Sequence, residues 1–309
     1  MKAIMYHYVR EPEASLPHFK YLNIGDFKKQ LDYFQKKFGF VEKGDFINSF
    51  NTGKPMSGVV LTFDDGLKDH YRYVLPELLK RNLWGIFYVP YKACKRKKLL
   101  GPHRVHMLLG RFGGQKVMEN LSKITSKKIL LHKHVEAFRT LSYKGLADYR
   151  ASTEVKRILN FYIDEKYREK TIDKLMKIFF KDESLMAKNF YLNEEEIIKM
   201  AQAGMIIGAH TVNHPVMSKL NMEEQKKEIL PCFKFIEKTV GKSVVKTYCH
   251  PYGGSFSFNA NTENILNKAH CLFSFSVEPR NIEIDDLKRH RQSFPRYDCN
   301  LFPYGKIRT

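Results

Sequence analysis

Cysteine is scarce in this chain and shows no pairing pattern. The five residues (Cys94, Cys232, Cys249, Cys271, Cys299) are odd in number, widely scattered and without a Cys-x-x-Cys pair. That argues against a disulfide framework or a zinc–cysteine site and fits free thiols in a reducing compartment. Long apolar runs are also missing, since nothing approaches the roughly 18 uninterrupted apolar residues of a membrane helix. The opening Met1-Lys2-Ala3-Ile4-Met5-Tyr6-His7 enters a strand-like run at once and leaves no room for a signal peptide, so a cytoplasmic location is expected. There is no internal repeat and no low-complexity segment. The single tryptophan, Trp84, stands at a predicted strand start, where packing is its expected role.

Acidic residues are outnumbered, with 33 Asp+Glu against 53 Lys+Arg and a formal net charge of +20. Residues 91–190 hold 24 Lys+Arg against 10 Asp+Glu, so +14 of the excess lies in that third of the chain. A surface of this kind admits nucleic acid, anionic lipid or a phosphorylated sugar as partner, and it is equally compatible with a merely solvated basic face. The run Lys92 to Lys98 lacks both the aromatic interleaving of a single-strand platform and the signatures of common DNA-reading modules. No nucleic-acid partner is therefore expected. His103/His106 and His132/His134 have metal-compatible spacings but lie in this acid-poor stretch, and incidental histidines are the expected reading.

With 309 residues and 43% apolar content, the chain is long enough for one large α/β domain, or a core plus an insertion. Residues 2–9 read as a buried strand, and Asn23 or Asp26 caps a helix through Phe38. A strand at Gly58–Phe63, a helix at Tyr71–Asn82 and a strand at Trp84–Val89 follow. This β-α-β order marks a parallel sheet with crossover helices. From Tyr91 to about Asn189 the strand rhythm stops and helical spacing takes over, predicting a basic helical insertion at 91–190 within a single domain spanning 1–309. The rhythm resumes with strands at Met205–Ala209, Val244–Cys249 and Leu272–Val277, separated by helices at Met222–Val240 and Asn261–Ala269. Glu278-Pro279-Arg280-Asn281, closing the last strand, is a candidate for the rim of the site.

Chemistry is concentrated in two places. Thr62-Phe63-Asp64-Asp65-Gly66 places adjacent carboxylates at the end of an apolar run, where like charges repel and a cation relieves them. His210-Thr211-Val212-Asn213-His214, bracketed by Gly208 and Pro215, puts two imidazoles four positions apart on turn-forming sequence. An Asp with two His is an open ligand set for a divalent metal, and a second Asp beside it is placed to deprotonate a metal-bound water. Both motifs sit at the carboxyl ends of predicted strands, where parallel α/β folds keep their catalytic groups. The pattern reads as a metal-dependent hydrolase.

Together with His250-Pro251-Tyr252-Gly253, these motifs resemble the first three motifs of the polysaccharide deacetylase (NodB-homology, carbohydrate esterase 4-like) family. The start Met5-Tyr6-His7-Tyr8-Val9 resembles the branch of biofilm poly-N-acetylglucosamine deacetylases. The resemblance covers residues 1–90 and about 190–299. It implies a distorted or incomplete (β/α) barrel carrying a mainly helical insertion, and hydrolysis of an N-acetyl or N-formyl group from an amino sugar in glycan or lipopolysaccharide assembly. It further implies Asp64 as general base and Asp65, His210 and His214 as ligands of Zn2+, with Co2+, Mn2+ or Ni2+ as alternatives. The Tyr252 backbone N–H takes the place of the oxyanion donor. Two departures stand out. Cys249 replaces the arginine that orients the base in many members, a part for which Arg296 is the substitute, its alternative being a surface arginine. The C-terminal Leu-x-His motif is absent, so the general acid falls to His7, with His250 and His290 behind it. The basic insertion suggests a nucleotide-linked or lipid-diphosphate-linked sugar, or peripheral contact with an anionic membrane. A catalytically idle carbohydrate-binding protein is the alternative function.

Overall fold

A computed structural model describes residues 1–95, 98–142, 150–241 and 245–307. The chain divides into two compact units, one made of residues 1–11, 21–96 and 189–308, the other of residues 12–20 and 97–188 with the last residue.

The first unit carries all the named strands: β1 (Lys2–Tyr6), β2 (Val9–Arg10), β3 (Leu22–Asn23), β4 (Val59–Phe63), β5 (Ile86–Val89), β6 (Ile206–Ala209), β7 (Thr247–Cys249), β8 (Phe273–Phe275) and β9 (Tyr297–Asp298). Strands β2 and β3 form a small parallel pair. The other seven form one parallel sheet in the order β8-β7-β6-β5-β4-β1-β9. From β4 to β8 each strand lies beside the next one in sequence, as right-handed β-α-β crossovers dictate. Beyond β8 the edge is taken up by Phe294, which bridges to Phe275 and exchanges backbone hydrogen bonds with Ser274 and Ser276 at 2.8 Å. Three residues on, Tyr297 and Asp298 pair with Ile4 and Met5 of β1. Residues 294–298 thus join the two edges, and the sheet curls into a distorted (β/α) barrel.

The alternation of side chains along each strand decides what faces inward. Ile4, Leu61, Phe63, Phe87 and Ile207 pack outward against helix residues such as Phe27, Leu31, Leu78 and Ile197. Ala3, Val60, Ile86, Tyr88, Phe275 and Phe294 form a separate core on the other face. Val60, Thr62 and Asp64 share that inner face by period two, and so do Phe294 and Arg296. The polar inner positions therefore sit directly above a dry floor.

Differences from the expected elements are local. Asn23, not Asp26, caps the helix Ile24–Lys37, accepting from the Gly25 N–H at 2.8 Å. The helix expected over 71–82 begins as a π-turn at His70–Val74, and Pro76 falls in the first turn of the α-helix Leu75–Lys80 that follows. Two short helices, Lys43–Thr52 and Ile284–Arg289, and the two-residue β9 were not foreseen. Of the strand expected from Val244, Val244 lies outside the described residues, and β7 begins at Thr247. Trp84 precedes β5, packs on Phe46 and donates its indole N–H to the Val41 carbonyl.

The second unit contains helices at Gly101–Phe112, Gly114–Ile124, His132–Arg139, Arg150–Arg157, Glu165–Phe179 and Ser184–Phe190 and no named strand among its described residues. Its core is a cluster of Val105, Leu108, Leu121, Leu159, Ile172 and Leu175. Arg104 is 1% exposed and bonded to Glu183, to Glu169 at 3.0 Å and to Asp173 at 2.9 Å. No described helix of either unit is long and apolar enough to cross a membrane.

Candidate metal centre

Asp64 leaves the end of β4 with its backbone N–H bonded to the Tyr6 carbonyl at 2.9 Å, which prolongs the strand pairing by one residue and turns the carboxylate inward. Asp65 follows with φ of 78°. That left-handed backbone breaks the period-two alternation, so two neighbouring carboxylates serve different partners instead of opposite faces of a sheet. Thr211 (64°), His214 (58°) and Tyr252 (63°) share this uncommon conformation, so four of the seven non-glycine residues with positive φ among those described belong to the loops of one site. Strain clustered in this way is typical of groups held for a purpose other than stability.

Asp65 Oδ1 lies 3.3 Å from Nε2 of His210 and 3.3 Å from Nε2 of His214. All three side chains are buried. His210 Nδ1 is 2.8 Å from the Cys249 carbonyl, and since a carbonyl only accepts, Nδ1 carries the proton and Nε2 presents its lone pair toward Asp65. The His210–His214 loop is pinned by the Glu228 carboxylate, which accepts from the Val212 N–H at 3.0 Å and the Asn213 N–H at 2.7 Å. Thr211 Oγ1 accepts from the His214 N–H at 2.9 Å. One carboxylate oxygen and two imidazole nitrogens, converging in a buried corner with an outer partner fixing one tautomer, fit a divalent cation. This set and Asp64/His210/Cys249 are the groupings of metal-capable side chains among the described residues, so His103/His106 and His132/His134 belong to none.

Asp64 is held otherwise. Arg296 binds its carboxylate through both Nη atoms, at 2.9 and 2.8 Å. The remaining N–H groups of the guanidinium reach Thr62 Oγ1 (3.0 Å), Ser276 O (3.1 Å) and Cys249 Sγ (2.9 Å), so all five donors are used. Arg296 is 1% exposed, which disposes of the surface reading. Burial raises the Asp64 pKa, but the guanidinium beside it more than offsets this and holds the carboxyl below 3.8. Burial pushes the Cys249 thiol up, so a neutral S–H stands where the sequence suggested an arginine had been lost. The guanidinium arrives from the β9 side instead.

His7 follows β1, half-buried, and its carbonyl accepts from His70 Nε2 at 2.8 Å. Its imidazole acts electrostatically on Asp64. His70 packs against the stacked rings of Phe63 and Phe87, and burial lowers its pKa to about 4. Pro251 and Tyr252 are the central residues of a turn closed by the Gly253 N–H on the His250 carbonyl at 3.1 Å. The positive φ at its third position fits type II. The Tyr252 ring lies 5.0 Å from that of His214, which places this turn beside the ligand set. His250 is out of contention as an acid: it is stacked on Phe258, bonded to the Gln292 carbonyl at 2.8 Å, and pushed by burial to about pKa 3. His290 pairs with Asp285 on an exposed helix end. The Glu278–Asn281 segment starts beside the Pro-Tyr-Gly turn, where the Val277 N–H bonds the Gly253 carbonyl at 2.8 Å, and runs away from it. Asn281 meets Lys2 at the amino end of β1, the opposite end from Asp64.

Part of the chain matches the model of the polysaccharide deacetylase family. The matching stretch is residues 161–272, which carries both histidines and the Pro-Tyr-Gly turn, while the aspartate pair lies before it. No curated protein matches the chain. Among solved structures, the Streptococcus pyogenes deacetylase PplD, in complex with acetate, is 14% identical over 99% of this chain and 95% of its own, with a TM-score of 0.58. IcaB from Ammonifex degensii is 16% identical over 89% and 82%, with a TM-score of 0.51. The BpsB deacetylase domain from Bordetella bronchiseptica is 12% identical over 96% and 94%, with a TM-score of 0.50. At such identities the likeness is one of fold. The resemblance read from the motifs is borne out by the family match over residues 161–272 and, for the rest of the chain, as a likeness of fold.

Proposed function

We propose that the protein is a metal-dependent carbohydrate N-deacetylase that releases acetate from an N-acetylated amino sugar. The observation that carries this reading is Asp65 Oδ1 at 3.3 Å from both His210 and His214, beside an Asp64 carboxylate kept ionised by Arg296. Asp65, His210 and His214 would hold the ion. A divalent cation bound there supplies polarisation of the amide carbonyl and acidifies water. Asp64 takes the proton from the attacking water, and the two hydrogen bonds from Arg296 fix the direction in which its oxygens point. The Tyr252 backbone N–H stabilises the oxyanion, a task independent of its side chain. His7 protonates the departing amine, and the bond from His70 to its carbonyl limits where that imidazole reaches. The reading of an idle binding protein rested partly on the missing arginine at position 249, and a fully bonded guanidinium at Arg296 removes that support.

The substrate is an amino sugar of glycan or lipopolysaccharide assembly carried on a nucleotide or a lipid diphosphate, a setting suggested by the excess positive charge of residues 91–190. Acetate release from nucleotide-linked sugars, lipid-linked sugars and chito-oligomers, measured with metal-reconstituted protein, tests both parts. No release from any of them contradicts the enzyme, and equal, salt-insensitive release from neutral chito-oligomers contradicts the charged carrier.

A further inference from the structure

The helix Glu165–Phe179 sorts its side chains into arcs. At about 100° per residue, Thr171, Leu175, Ile172 and Met176 fall on a buried arc, with Arg168 among them. The acids Glu165, Glu169 and Asp173, spaced by four, form the next column, and each is engaged by an arginine: Glu165 with Arg168, the other two with Arg104. The remaining outward arc, about 120° wide by the same geometry, holds Lys166, Lys177, Lys170, Lys174, Tyr167 and Ile178, all exposed. No acid interrupts it. Lys166 has a near partner in Asp164 at 3.3 Å, whereas Lys170, Lys174 and Lys177 have no ion pair among the described residues. Tyr167 is 38% exposed and Ile178 49% exposed along the edge of this lysine column, and Leu185 on the following helix is 67% exposed.

We propose that this arc is a docking face for an anionic lipid surface. Lysines alone would suit any polyanion, but a row of ammonium groups bordered by an unburied Tyr and Ile matches the boundary between phosphate headgroups and acyl chains. A single-stranded nucleic acid would call instead for several aromatic rings among the charges, and this arc carries one, Tyr167. The acids of the same helix, being occupied by internal arginines, do not neutralise the outward charge.

The test is co-sedimentation of the full chain with vesicles of phosphatidylcholine alone or mixed with phosphatidylglycerol, with soluble polyphosphate as a second probe. Binding is expected on the mixed vesicles only and is expected to fade with salt. The triple variant Lys170→Glu/Lys174→Glu/Lys177→Glu should lose it by roughly 100-fold or more, at about fivefold per lysine, and the matching Lys→Gln triple by less. Tyr167→Ser/Ile178→Ser should weaken vesicle binding by about tenfold and leave polyphosphate binding unchanged. These positions are exposed, and unaltered thermal unfolding of the variants confirms that folding is intact. Equal binding to neutral vesicles, or retention by the charge-reversed variant, overturns the proposal. If Tyr167→Ser/Ile178→Ser changes nothing on vesicles while the lysine variants lose polyphosphate, the face serves a soluble polyanion and the lipid assignment fails.

Discussion

Each compact unit buries one arginine at 1% exposure against carboxylates, and the two sites differ in what the carboxylates are left free to do. Around Arg104 three acids share one guanidinium, and their side chains are 53%, 32% and 12% exposed at Glu169, Asp173 and Glu183. Water reaches part of that cluster, and its geometry ties helices together. Around Arg296 a single carboxylate, Asp64, is matched one to one and is itself 3% exposed at the side chain. The next residue, Asp65, faces two imidazoles. A buried arginine is scaffold where acids outnumber it. It positions chemistry where it satisfies one acid and leaves an adjacent one aimed at donor nitrogens.

The largest effect expected from breaking this comparison is on turnover. Asp64→Asn keeps the shape and the Arg296 contacts in part but removes the base, and acetate release should fall by about 10²–10⁴-fold. Next come the arginines. Arg296→Met strands a fully buried carboxylate and should cost about 3–5 kcal/mol, whereas Arg104→Met leaves acids that water can reach and should cost about 1–3 kcal/mol. Chemical denaturation measures both. The pH profile separates them further. With burial opposed chiefly by Arg296, the Asp64 pKa is held down; with Met there, only the weaker pull of His210 and His7 opposes burial, and the acid limb of kcat/KM moves upward. Arg104→Met should leave that limb where it is.

A smaller effect concerns stability against acid. His70 and His250 are held neutral, at about 4 and about 3 against an unfolded value of 6.5. Their contribution is fully present above 6.5 and is lost as pH falls from 6.5 toward those folded values, because the unfolded chain binds the protons first. Each should add a slope of about 1.4 kcal/mol per pH unit within that window. Asp64 works lower, its contribution vanishing only as pH falls below about 3.9. Unfolding free energies at several pH values test this, and a His250→Phe variant that retains the full slope would count against it. Smallest of all is Cys249→Ser, which keeps a donor and an acceptor beside Asp64 and Arg296 and should change kcat/KM by less than about tenfold.

The aspartate pair and the His-x-x-x-His spacing were legible because each motif is local and each sits at the end of a strand announced by its own apolar run. The barrel was legible for the same reason, through strands such as Val59–Phe63 and Ile86–Val89. Strand β9 was not, since two residues carry no period and Pro295 speaks against a strand. Arg296 was named from the sequence only as one of two readings, because its burial depends on segments remote in the chain: Thr62, Cys249 and Ser276. Nor could the sequence say that Cys249 would sit within bonding reach of the base it had seemed to leave unsupported. The helical unit was read as helical from spacing, but the one-residue offset between its acidic column (165, 169, 173) and its lysines (166, 170, 174) acquires meaning only once Arg104 and Arg168 are known to lie inside.

The central claim is that Asp65, His210 and His214 hold one cation while Asp64 acts beside it. Metal content by mass spectrometry and acetate release, measured on the same preparations of Asp64→Asn and Asp65→Asn, address it most directly. The expected result is about one ion per chain with little turnover for Asp64→Asn, and loss of both ion and turnover for Asp65→Asn. An Asp65→Asn protein that keeps its ion and its rate would contradict the account.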